Sequence, residues 1–108
     1  MGVTTVNVEV VSLADPAITE RLRFTVDPGA VYSVVPAPVL RKLGIQPLRR
    51  EAFRLADGTT IVRRKGGALF KFRSHVGIAD VIFGEEGDAT VLGASTLEAL
   101  GLPVSDLA

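Results

Sequence analysis

The run Phe24-Thr25-Val26-Asp27-Pro28-Gly29-Ala30-Val31-Tyr32-Ser33-Val34-Val35-Pro36 carries a strand up to a carboxylate and a second strand away from it. Leu22, Phe24 and Val26 alternate with Arg21, Arg23 and Thr25, the period of a strand buried on one face. Asp27 ends that alternation, and Pro28-Gly29 supplies turn chemistry. Val31 to Val35 is short and β-branched, which favours a strand. A charged group is thereby presented at the edge of a core. Gly29 has no side chain, so the backbone can approach the carboxylate and donate its N–H to it. Asp-Pro-Gly taken alone is also an ordinary surface turn, and that reading stands beside the first.

Working outward, Val6, Val8 and Val10 alternate with Asn7 and Glu9, and Asp15-Pro16 separates them from the next strand. The first quarter therefore reads as a hairpin that delivers the chain to Asp27. Downstream, Pro36-Ala37-Pro38 opens a short helix over Val39 to Leu43, closed by Gly44. Phe53 and Leu55, then Ala56-Asp57-Gly58-Thr59, then Ile61, predict a hairpin with a two-residue turn at Asp57-Gly58. Gly66-Gly67 marks a bulge or bend. Leu69 to Phe72 and Val76 to Phe83 read as strands, joined by Arg73-Ser74-His75 and followed by the turn Gly84-Glu85-Glu86-Gly87-Asp88. Thr90-Val91-Leu92-Gly93 is a short apolar run. Ser95 is the expected N-cap of a helix over Thr96 to Leu100 that Gly101 ends. Leu102 to Leu107 is an apolar tail that can pair as a final strand.

The chain of 108 residues is expected to be one domain, residues 1–108, mainly β with one or two short helices. It has no cysteine, which excludes a disulfide framework, thiolate metal sites and cysteine nucleophiles. Twelve basic and twelve acidic residues cancel, so no overall field draws it to nucleic acid or to an anionic membrane. Met1 to Val11 does not have the pattern of a signal peptide, and no apolar stretch is long enough to span a bilayer, which makes a cytoplasmic protein the default.

The chemistry-bearing candidates thin out by subtraction. A nucleophilic triad would have to be built on the single histidine, His75, whose neighbour Ser74 cannot easily face it, so His75 reads as a solvated turn residue. No phosphate-binding fingerprint is present. Asp80, Glu85, Glu86 and Asp88 lack the alternating oxygen ligands of a calcium loop, so no metal site is expected. Arg49-Arg50 and Arg63-Arg64-Lys65 are not interleaved with aromatic residues and read as exposed strand positions, not as a nucleic-acid patch. Asp27 remains.

The run from Phe24 to Pro36 resembles the active-site segment of retropepsin-like aspartic peptidases, in which apolar residues lead into Asp-Thr/Ser-Gly-Ala with a Ser three residues beyond the Ala. Leu40-Arg41-Lys42-Leu43-Gly44-Ile45 resembles the short helix and turn that follow it. Leu55-Ala56-Asp57-Gly58 falls where the family keeps its flap. Val91-Leu92-Gly93 and Thr96-Leu97-Glu98-Ala99-Leu100-Gly101-Leu102 are similar to its apolar-apolar-Gly signature and C-terminal helix. The resemblance implies an all-β, closed retropepsin-like acid-protease barrel in which one chain supplies half an active site. It implies a homodimeric aspartic endopeptidase acting on a peptide or protein substrate, with no cofactor, no metal, and neither nucleic acid nor membrane as partner. Asp27 would be the catalytic residue. Pro28, Gly29, Ala30 and Ser33 would form the active-site loop, Leu55, Ala56, Asp57, Gly58 and Thr59 the flap, and Val91, Leu92 and Gly93 the structural support. Pro28 departs from the family's Thr or Ser and has neither a hydroxyl nor an N–H to bond across a dimer axis. That departure carries the alternative reading, a catalytically weak or inactive dimerisation or peptide-binding module on the same fold.

Overall fold

The computed structural model describes residues 3–54 and 57–103. Leu55 and Ala56 of the expected flap, and the part of the expected final strand beyond Pro103, lie outside the described residues.

The first quarter is the expected hairpin, β1 (Thr5–Val11) against β2 (Thr19–Val26), in unbroken antiparallel register from Thr5 opposite Thr25 to Val11 opposite Thr19. Its turn is closed by the Asp15 carboxylate, which accepts the Ala17 N–H at 3.1 Å. The chain continues through β3 (Ser33–Pro36), α1 (Ala37–Lys42), β4 (Arg49–Arg54), β5 (Thr60–Phe72), β6 (His75–Gly84), β7 (Val91–Leu92) and α2 (Ala94–Leu100).

Among the described residues, seven strands form one sheet in the order β1-β2-β7-β3-β6-β5-β4, and β1 also pairs with β5 through Glu9, Val10 and Val11. The sheet is thus folded over until its first strand meets its sixth. The apolar residues that alternate along the strands fill the space between: Val8, Val10, Phe24, Phe70, Val81 and Leu92 are buried, and Phe24 meets Phe70 edge-on with ring centroids 6.3 Å apart. Each such side chain contributes about 1.5–3 kcal/mol of apolar burial. Leu97 and Leu100 of α2 seal the core beneath β6. Gly77 of β6 is where that helix comes closest, since a Cβ there would lie 2.3 Å from the Ala99 carbonyl oxygen.

Several local expectations give way to tertiary structure. The first helix starts at Ala37, two residues ahead of Val39, because Pro38 is tolerated in a first turn whose N–H groups have no helical acceptor. Gly44, with φ of 74°, terminates it. The second helix is capped by Gly93 and not by Ser95, which lies inside its first turn. The Ser95 N–H is donated to the Val31 carbonyl, and its buried hydroxyl has no partner among the described residues. No bulge forms at Gly66-Gly67: the β5–β6 register runs unbroken from Lys65 opposite Ile82 to Phe72 opposite His75. The two glycines instead lie where β5 leaves β4 for β1, and Gly66 admits the chain after α1, since a Cβ there would meet the Gln46 carbonyl oxygen at 2.9 Å. His75 is half-buried at the start of β6, its Nδ1 3.0 Å from the Leu100 carbonyl oxygen, and is not a solvated turn residue. No described helix is long and apolar enough to cross a membrane.

Candidate active site

Strands β2 and β3 are consecutive in the chain but not neighbours in the sheet, because β7 lies between them. It runs parallel to β2, with Thr25 opposite Val91 and Val26 opposite Leu92, and antiparallel to β3, with Val34 opposite Val91. The segment from Asp27 to Tyr32 must therefore arch over the end of β7, and the polar groups of both segments satisfy one another. The Asp27 N–H donates to the Leu92 carbonyl (3.0 Å) and the Ala94 N–H to the Ala30 carbonyl (2.8 Å). The Gly93 N–H donates to Ser33 Oγ (3.0 Å), and that hydroxyl shares a short 2.5 Å hydrogen bond with Thr96 Oγ1. Ser33 and Thr96 are fully buried. Gly93 is required by space: a Cβ would lie 2.5 Å from the Tyr32 carbonyl group.

On this base Asp27 opens a turn in which the Ala30 N–H returns to the Asp27 carbonyl at 3.0 Å. The carboxylate is exposed, and its one hydrogen bond among the described residues comes from the Gly29 N–H at 3.0 Å. A side chain on Gly29 would crowd it, the Cβ falling 3.2 Å from Asp27 Oδ1. The loop thus orients one carboxylate and leaves it open to solvent.

Beside the loop lies a cleft of about 530 Å³. Gly29, Ala30 and Val31 form its edge, Val34, Ile82 and Val91 are part of its wall on the sheet, and Phe53 and Ile61 face them from the β4–β5 hairpin. Tyr32 joins loop to hairpin. Its ring meets Phe53 edge-on at 5.8 Å, and Lys65 Nζ stands 4.6 Å from its centroid. The hairpin stem therefore walls the cleft, while the tip residues Asp57, Gly58 and Thr59 are exposed and do not line it in a single chain. Among the described residues the register runs as far as Arg54 opposite Thr60, and Ala56, which precedes the expected turn, lies outside them. Gly58 has φ of 89°, and Asp57 Oδ1 accepts both the Thr59 N–H (2.9 Å) and its hydroxyl (2.6 Å). The Thr59 hydroxyl, followed by its N–H, holds the Asp57 carboxyl below its ordinary value.

Two ion-pair groups brace the hairpin, and here the expectation of exposed basic positions fails for Arg63 and Lys65, whose side chains are only 15% and 14% exposed. Arg63 makes a bidentate pair with Asp88 (Nε–Oδ2 2.7 Å, Nη2–Oδ1 3.0 Å), and Asp88 also accepts the Glu85 N–H. The Arg63 hydrogen bonds hold the Asp88 carboxyl below the usual range. Lys65 pairs with Glu51 (3.0 Å) and Asp80 (3.4 Å), and its hydrogen bond, ahead of that from Arg49, lowers the Glu51 pKa. No group of acidic or histidine side chains that could hold a metal ion occurs among the described residues.

The site residues named from the sequence therefore fall into two places. Asp27, Pro28, Gly29, Ala30 and Ser33 come together with Val91, Leu92 and Gly93, while Asp57, Gly58 and Thr59 stand apart at the hairpin tip. Sequence reasoning missed Thr96, Tyr32 and the Arg63–Asp88 pair. The one available signal was Thr96, a hydroxyl three residues beyond Gly93.

No family model matches the chain, and no curated protein does. Among solved structures, the solution structure of the protease of simian foamy virus (mac) is similar, with a TM-score of 0.59 at 18% identity over 87% of this chain and 91% of that one. The fold is therefore mainly β and retropepsin-like, of the kind a retroviral protease has.

Proposed function

We propose that the chain is an aspartic-type endopeptidase that works as a homodimer, each copy supplying Asp27. The observation that carries this reading is one exposed carboxylate, oriented by the Gly29 N–H and mounted beside an apolar cleft on a fold similar to a viral protease. A lone carboxylate cannot act as acid and base at once, and a two-fold axis at the loop would bring a second identical one. Two carboxylates at close range repel when both are ionised, so the pair would hold one proton between them. The unprotonated member takes a proton from a bound water as the water oxygen attacks the scissile carbonyl carbon. The protonated member gives its proton to the carbonyl oxygen. Collapse of the resulting diol breaks the C–N bond as a proton passes to the amine. Neither a metal nor a covalent intermediate is required. The β4–β5 hairpin serves as the flap, closing its tip over an extended substrate and adding strand-like hydrogen bonds.

Digestion of a peptide library by the native protein and by Asp27→Asn tests this. Cleavage by the native protein and none by the variant is the expected result; cleavage that survives in the variant would assign the chemistry elsewhere. A second reading, a non-catalytic dimerisation or peptide-binding module, is favoured by Pro28 alone. It predicts a dimer that binds peptides and cleaves none.

A further inference from the structure

We propose that the groove between α1 and the outer face of the β4–β5 hairpin is a docking site for an acidic, partly apolar segment of polypeptide. Odd-numbered residues of β5 (Ile61, Arg63, Lys65) face the cleft and Tyr32. Val62 and Arg64 belong to the opposite face, which is the core face farther along the strand at Ala68 and Phe70 and here runs out beyond the core. With Ala37 and Phe83 they line a groove of about 190 Å³, whose walls also carry Arg41 of α1, Arg50 of β4, and the paired Arg63 and Glu85.

Three of the groove's four arginines have no ion-pair partner among the described residues. Arg50 stands directly opposite Arg64 in the β4–β5 register, and like charges so placed destabilise an antiparallel pair. The cleft-side face has the same conflict, Arg49 opposite Lys65, and resolves it with Glu51, which bridges to both. No carboxylate does this for Arg41, Arg50 and Arg64, which form no ion pair among the described residues. Glu85 lies at the rim but is engaged by Arg63. Keeping an edge strand from pairing with other chains accounts for arginines on β4. It does not account for Arg64 on an inner strand or Arg41 on a helix.

Three guanidinium groups around an apolar floor match carboxylates spaced along a chain that also bears apolar side chains, since each guanidinium can take a carboxylate in bidentate fashion. Nucleic acid is a poorer match. The groove is short, its one aromatic residue, Phe83, is buried and offers no stacking face, and the chain's net charge is zero. Arg63 lines both this groove and the cleft, and occupancy of the groove does not require cleavage.

The test uses the Asp27→Asn protein, so that binding is read without turnover and the outcome is independent of whether the chain is a peptidase. The probe is a short fluorescein-labelled peptide of alternating Glu and Leu, followed by anisotropy. It should bind, and Arg41→Gln/Arg50→Gln/Arg64→Gln should weaken it by about ten-fold or more, equivalent to about 1.4 kcal/mol. The matched variant Arg21→Gln/Arg23→Gln/Arg73→Gln should bind as the parent does. The groove variant should also unfold in no less urea than the parent, because it removes a like-charge pair. Absence of binding, equal weakening by both variants, earlier unfolding of the groove variant, or tighter binding of an oligo(dT) than of the peptide would each overturn the proposal.

Discussion

Replacing Ser33 with Ala removes the hydroxyl on which the Asp27 loop rests, and the consequences can be worked out atom by atom. Ser33 Oγ accepts the Gly93 N–H and is bonded to Thr96 Oγ1, in an interior that admits no water to either residue. Ser33→Ala strands both groups, and at about 1–3 kcal/mol for each unpartnered buried polar group the loss is about 2–6 kcal/mol. That is a large share of the roughly 5–15 kcal/mol by which a domain is stable. Thr96→Val keeps the shape and leaves Ser33 bonded to Gly93, for a loss of about 1–2 kcal/mol. The double variant strands only the Gly93 N–H, so it should be more stable than the sum of the single losses implies, by about 2–5 kcal/mol. Urea unfolding of the four proteins at one protomer concentration measures the cycle. Additivity within about 0.5 kcal/mol, or a Ser33→Ala loss smaller than that, would refute the claim that these hydroxyls hold the loop.

Three further outcomes follow from the same geometry. Gly58→Ala puts a Cβ on a residue with φ of 89°, so the hairpin tip should lose about 1–2 kcal/mol of local stability; peptide turnover should fall more than the urea midpoint does, and unchanged turnover would remove the tip from substrate handling. Arg63 depresses the Asp88 pKa, so that pair's contribution is complete above the ordinary carboxylate value of about 3.9 and is lost as pH falls through the depressed one. Asp88→Asn should therefore flatten the acid loss of stability, and identical pH slopes for the two proteins would contradict this. On the proposed homodimeric reading, Pro28→Thr introduces a hydroxyl able to bond across the two-fold axis; sedimentation should show a tighter dimer, by about 1–5 kcal/mol if several bonds form, and equal dissociation constants would show that this loop needs no such grip.

What was legible in the sequence is what local periodicity encodes. Alternation in Val6 to Val10 and in Leu22 to Val26 marks strands buried on one face, and those strands form with the register their patterns require. Helix ends at Gly44 and Gly101 were legible because left-handed conformation favours glycine. Partners distant in the chain were not legible. Ser95 has the chemistry of an N-cap, but its N–H is drawn to Val31 by the fit of α2 against the loop, and Gly93 takes the cap position. Arg63 and Lys65 read as exposed because nothing in a strand pattern reveals that Asp88 and Glu51 will lie beside them. Tyr32 sits inside the quoted run, yet its role depends on Phe53 and Lys65, which reach it only once the β4–β5 hairpin is in place.

Pro28 shows where a residue-level reading and a geometric one part. Judged by its missing hydroxyl, it would weaken a clamp between the two copies of the proposed dimer. Judged by its place in the turn, it stiffens the loop within one copy. The Ala30 N–H closes on the Asp27 carbonyl, and Gly29 is not among the glycines with positive φ, so Pro28 occupies the second position of a turn that favours a fixed φ there. Gly29 does not serve a positive φ here; a Cβ on it would crowd Asp27 Oδ1 at 3.2 Å. Below the turn, Leu92, Gly93 and Ala94 satisfy Asp27, Ser33 and Ala30 from the same chain. The loop's shape is thus determined before any second copy arrives. On the proposed reading, what the partner must contribute is its own Asp27 carboxylate.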